Sequence, residues 1–100
     1  MKNPGITELL SKLVEIPSVS SLEENQKDVL DSANYIADLF NEIGLNSKVT
    51  SSKNSKPAVL AKTEIDPSKK TVLLYAHHDV QPVGDLNKWD TDPFKPEIID

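Results

Sequence analysis

The run Val72-Leu73-Leu74-Tyr75-Ala76 ends abruptly in His77-His78-Asp79, which holds the only two histidines of the chain and a carboxylate directly after them. Continuous apolar runs of this kind read as strands buried on both faces, the strands of an α/β sheet. Open α/β sheets place their chemistry just beyond the carboxyl ends of such strands. The pattern predicts a strand over Thr71–Ala76 that delivers His77 and Asp79 to its end. Two residues apart, they point the same way while the backbone stays extended. A histidine with a carboxylate suits a metal site or an acid/base pair; it also suits a histidine that merely hydrogen-bonds to a neighbouring loop.

The segments before this run carry helical and then strand periodicity. Ile6, Leu9, Leu10, Leu13 and Val14 recur at helical spacing, and Pro17 ends the pattern. A polar break, Ser18-Val19-Ser20-Ser21, follows, and Ser20 with Glu23, or Ser21 with Glu24, has the spacing of a capping box. Val29, Ala33, Ile36, Phe40 and Ile43 then mark a second amphipathic helix, with Gly44 at the position of a C-terminal cap. Leu45–Thr50 and Pro57–Thr63 read as strands around the polar turn 51–56, and Asp66-Pro67 marks a turn before Thr71–Ala76. The order is two helices followed by three strands, which predicts an α/β fold with a mixed sheet. No linker separates a second domain within residues 1–100. Glu97–Asp100 resembles the start of another strand, an unusual place for a complete domain to stop.

Composition removes several function classes. A net charge of -5 and the lack of a basic stripe with interleaved aromatics argue against a nucleic-acid partner. Without cysteine, a metal could be held only by nitrogen and oxygen. Met1–Pro17 does not read as a signal peptide and no stretch has membrane-spanning length, so the expectation is a soluble, cytoplasmic protein with no membrane partner. The glycines lie at 5, 44 and 84, which provides neither a phosphate-binding loop nor a Gly-x-Ser-x-Gly nucleophile elbow. A His-Glu-x-x-His zinc motif is also missing. Val83–Pro96 lacks periodicity and carries Trp89 and Phe94; a loop there could line a cleft or cover the sheet edge.

His77-x-Asp79-Val80-Gln81-Pro82, preceded by Leu-Leu-Tyr-Ala and followed by Trp89 and Pro93-Phe94, resembles the first metal-ligand motif of a zinc metallopeptidase family. That family comprises carnosinase-type dipeptidases, glutamate carboxypeptidase, aminoacylase and succinyl-diaminopimelate desuccinylase. Leu13-Val14-Glu15-Ile16-Pro17-Ser18-Val19-Ser20 is similar to the way these proteins begin. The resemblance implies a zinc-exopeptidase-like catalytic domain of which residues 1–100 are the N-terminal portion, without the dimerisation domain. It implies that His77 is a ligand of one zinc in a two-zinc centre, with cobalt or manganese as alternative metals. It implies that Asp79 is the catalytic carboxylate hydrogen-bonded to His77, and it assigns no role to His78. Gln81 resembles the dipeptidase and glutamate carboxypeptidase side of the family. The implied reaction is hydrolysis of a peptide bond near a free carboxylate, or of a related acyl-amino-acid amide, by a homodimeric full-length enzyme. The bridging aspartate, the general base and the other ligands are expected beyond Asp100. The chain by itself is then expected to be catalytically silent, or to act as an interaction module.

Overall fold

A computed structural model describes residues 5–99. Asp100, the last residue of the expected strand Glu97–Asp100, and Met1–Pro4 of the amino-terminal segment lie outside the described residues. Helix α1, Ile6–Glu15, starts from extended Gly5, whose carbonyl accepts from the Leu9 N–H (3.0 Å). A 3-10 turn, Glu23–Asn25, leads into α2, Gln26–Glu42. Strands β1, Asn46–Thr50, and β2, Ala58–Lys62, form an antiparallel pair in which Val49 faces Val59 and Ser47 faces Ala61. These four are the half-buried positions of an otherwise exposed hairpin, as a period of two requires when one sheet face is covered. α2 covers that face, burying Val29, Ser32, Ala33 and Ala37.

The end of α2 shows why the chain turns into β1 where it does. The Leu45 N–H donates to the Phe40 carbonyl (3.0 Å) and the Gly44 N–H to that of Asn41 (3.1 Å). These are the two bonds of a Schellman cap, and Gly44 takes the left-handed φ of 92° that the cap needs. The Ser47 hydroxyl then donates to the Ala37 carbonyl at 2.6 Å, stapling β1 to the last turns of the helix.

The α/β fold expected from the sequence is present, with two departures inside it. Residues 71–79 form no strand, and Val72, Leu73, Leu74 and Tyr75 are 77–91% exposed. An apolar run becomes a strand only when a neighbour completes its hydrogen-bond ladder, and among the described residues none lies beside it. Among the described residues, parallel pairing is correspondingly confined to one isolated bridge, Val19 with Val80. Glu97–Ile99 likewise lacks a ladder. The radius of gyration, 16.0 Å, exceeds the ~13 Å of a compact domain this long, consistent with apolar segments left uncovered.

The second departure concerns the start of α2. Its N-cap is Asn25, with no side-chain cap bond, and neither expected capping box forms. The Asn25 and Gln26 amides instead donate back to the carbonyls of Pro17 (3.1 Å) and Ser20 (3.0 Å). The polar break at Ser18–Ser21 is thereby bound to the helix, and its hydroxyls remain available for another partner.

Candidate metal-ligand motif

The segment after the apolar run is held by that break. The Val80 N–H donates to the Ser18 carbonyl at 3.0 Å, and the Ser18 hydroxyl donates to the His78 carbonyl at 3.2 Å. Ser18 and Val19 are 1% and 3% exposed, so the contact is made inside the protein. Ser20 adds a side-chain bond, its hydroxyl donating to Asp79 Oδ2 at 2.5 Å.

His77 and Asp79 lie together, as their spacing predicts. His77 Nδ1 is 3.1 Å from Asp79 Oδ1 and 3.0 Å from the Asp79 carbonyl oxygen. Both are acceptors, so Nδ1 carries the proton and donates. Nε2 of the neutral ring is left with its lone pair on a side chain that is 77% exposed. This is the ring state a metal ligand needs, with the second nitrogen fixed on a carboxylate. The Ser20 hydrogen bond, aided by His77, holds the Asp79 carboxyl below the ordinary aspartate value of 3.8, against the opposing effect of burial. The carboxylate form therefore persists throughout the neutral range.

His78 is a different residue altogether. Its Nε2 lies 3.2 Å from the Pro57 carbonyl and its Nδ1 3.0 Å from the Ser32 hydroxyl. A carbonyl only accepts, so Nε2 donates and Nδ1 accepts from Ser32. Both ring nitrogens are occupied in joining α2 to the residue that precedes β2. Trp89 and Phe94 lie together in the loop after the motif. With Val80, Pro82, Val83 and Val14 they line an apolar hollow beside α1, where the Trp89 indole N–H donates to the Val83 carbonyl (2.9 Å).

His77 fits one coordination position of a metal. A zinc site takes about four ligands, and among the described residues no group of three or more His, Asp or Glu side chains could hold an ion. Titration of the 100-residue chain with zinc in a calorimeter is therefore expected to give no tight stoichiometric binding. A sharp one-to-one isotherm would show that the chain assembles a site from residues other than those described above.

Sequence reasoning assigned no site role to Ser18, Ser32 or Pro57, and gave Ser20 only a capping role with Glu23. The similarity of Pro17-Ser18-Val19-Ser20 to the start of a known family was a signal that the segment mattered, but not what it touches. Ser20 and Asp79 are 59 residues apart, and no local periodicity reports such a contact.

The Ser18-Val19-Ser20 loop thus clasps the His77-x-Asp79 motif within an α/β fold, and comparison with known proteins shows where such a segment occurs. The chain is 36% identical over 104 residues to the Cys-Gly metallodipeptidase DUG1 of Saccharomyces cerevisiae, covering 92% of the chain and 22% of that protein. It is 37% identical to the Candida albicans Cys-Gly metallodipeptidase (91% and 21%) and 32% identical to the succinyl-diaminopimelate desuccinylase of Shewanella piezotolerans (98% and 23%). The solved structure of the di-peptidase Dug1p from Saccharomyces cerevisiae superposes with a TM-score of 0.76 at 36% identity, over 89% of this chain and 21% of that one. No family model matches the chain. The chain is thus related, over nearly all its length, to metallodipeptidases and a desuccinylase, and spans about a fifth of the length of these relatives. Of these relatives, the dipeptidases are the more similar. Among the described residues no helix is long and apolar enough to cross a membrane.

Proposed function

We propose that this chain is the N-terminal portion of a metal-dependent dipeptidase, and that His77 is a ligand and Asp79 the catalytic carboxylate that orients it. The observation that carries the reading is the His77–Asp79 hydrogen bond (3.1 Å), which leaves Nε2 exposed with its lone pair. The similarity to Cys-Gly metallodipeptidases supports a short peptide with a free carboxylate as the substrate class, with acyl-amino-acid amides as the alternative. Two zinc ions, when bound, would supply a water of lowered pKa and polarise the scissile carbonyl. In that setting the chain's own residues hold one ligand ring in place and fix the tautomer whose lone pair lies on the outer nitrogen. The ligands and base not found here would come from a longer polypeptide, a cytoplasmic homodimer in this reading.

The test is hydrolysis of Cys-Gly by the full-length enzyme. Chelation is expected to abolish turnover, and zinc, cobalt or manganese to restore it. Activity that survives complete metal removal would overturn the assignment. One observation favours a narrower role for the 100-residue chain alone. With a single ligand and an uncovered apolar run, it is catalytically silent, and the same assay on the isolated chain is expected to read zero.

A further inference from the structure

We propose that Ser20 is a positioning residue for the His77 imidazole, acting through Asp79; its value to catalysis rests on His77 being a metal ligand as read above. Both carboxylate oxygens of Asp79 are engaged, Oδ1 by the His77 Nδ1–H and Oδ2 by the Ser20 hydroxyl at 2.5 Å. A carboxylate held at both ends cannot turn about its Cβ–Cγ bond without losing one partner. Asp79 needs such a hold, because its side chain is 41% exposed and water competes for either oxygen. The segment leading to it offers no alternative, since residues 71–76 have no ladder and are exposed.

Ser20 is itself well anchored. Its carbonyl accepts from the Gln26 amide on the first turn of α2 (3.0 Å), and the neighbouring Val19 is bridged to Val80. Position therefore passes from α2 through Ser20 to Asp79 and then to the His77 ring. The Val80–Ser18 backbone bond and the Ser18–His78 bond do not involve the Ser20 side chain, so deleting its hydroxyl loosens the carboxylate while the two segments stay docked.

The experiment is long-range proton–nitrogen NMR of the imidazoles in the metal-free 100-residue chain at about pH 8.5, some two units above the ordinary histidine pKa of ~6.5. With two histidines, both rings are resolved. His77 is expected as the Nδ1–H tautomer and His78 as the Nε2–H tautomer. In Ser20→Ala the two His77 nitrogen shifts should converge as the ring begins to exchange tautomers, while His78 is unchanged; Ser20→Thr should restore the separation. An unaltered His77 pattern in Ser20→Ala overturns the proposal. If that variant does not fold, Ser20→Thr and Ser20→Cys replace the comparison: the weaker thiol donor must move His77 towards exchange, and identical patterns overturn the proposal. In the full-length enzyme, Ser20→Ala is expected to weaken metal affinity about 10-fold, the lower end for loss of an outer-shell contact. Should the tautomer respond while His77→Ala leaves activity intact, the ligand reading fails and the positioning of His77 by Ser20 stands.

Discussion

Replacing His77 by alanine in the full-length enzyme is expected to lower kcat/KM for dipeptide hydrolysis by more than about 100-fold, with loss of bound metal. Removal of an outer-shell partner typically costs 10–100-fold in affinity or activity, and removal of the ligand itself must exceed that. Asp79→Asn provides the graded comparison. The amide can still lie beside the His77 ring, but its nitrogen side would face a donor, and the effect is expected within the 10–100-fold range. His78→Gln should leave kcat/KM nearly unchanged and act on stability, because both His78 nitrogens are bound to Ser32 and Pro57. Steady-state kinetics with metal analysis by atomic absorption separates the three. Activity retained in His77→Ala would remove the motif from the chemistry.

Ala33→Asp is expected to destroy cooperative folding. Ala33 is 0% exposed, at the centre of the α2 face that also buries Val29 and Ala37 against β1 and β2. Small side chains there let the helix approach the strands closely, so a larger group has no space. An ionised carboxylate without a partner adds several kcal/mol of desolvation in practice. Domains of this kind have only about 5–15 kcal/mol in total, and this core is small. Asn34→Asp, one position along on the exposed face, introduces the same group at a cost within about 0.5 kcal/mol. Thermal melts followed by circular dichroism should show no transition for the first variant and a nearly native one for the second. A cooperative Ala33→Asp melt would mean that α2 does not pack as described.

Much of the local structure is legible in the residues, and the failures are instructive. α1, α2, β1 and β2 fall within a few residues of their expected bounds, because periods of 3.6 and 2 are consequences of backbone geometry alone. Gly44 marks the end of α2 for an equally local reason, its positive φ. The strand expected at Thr71–Ala76 is missing because apolarity says that a segment prefers burial, not which neighbour buries it. The capping boxes fail for a related reason. The Ser20 hydroxyl has two candidate partners, and spacing reveals only the one three residues away. In the structure the carboxylate 59 residues away holds it.

By itself the sequence determined the helices, the hairpin and the proximity of His77 to Asp79, all of which follow from backbone repeat and short spacing. Its His-x-Asp-Val-Gln-Pro motif also pointed to the metallodipeptidases and the desuccinylase to which the chain is similar. Only the tertiary structure decided which histidine is free and which is bound: His77 faces a carboxylate two residues on, whereas His78 reaches Ser32 and Pro57 on distant elements. It alone showed that a serine from the first loop holds the carboxylate. Such contacts arise when α2, the loop before it and the motif segment dock together, and the partner of a hydrogen bond is chosen by that docking and not by distance along the chain.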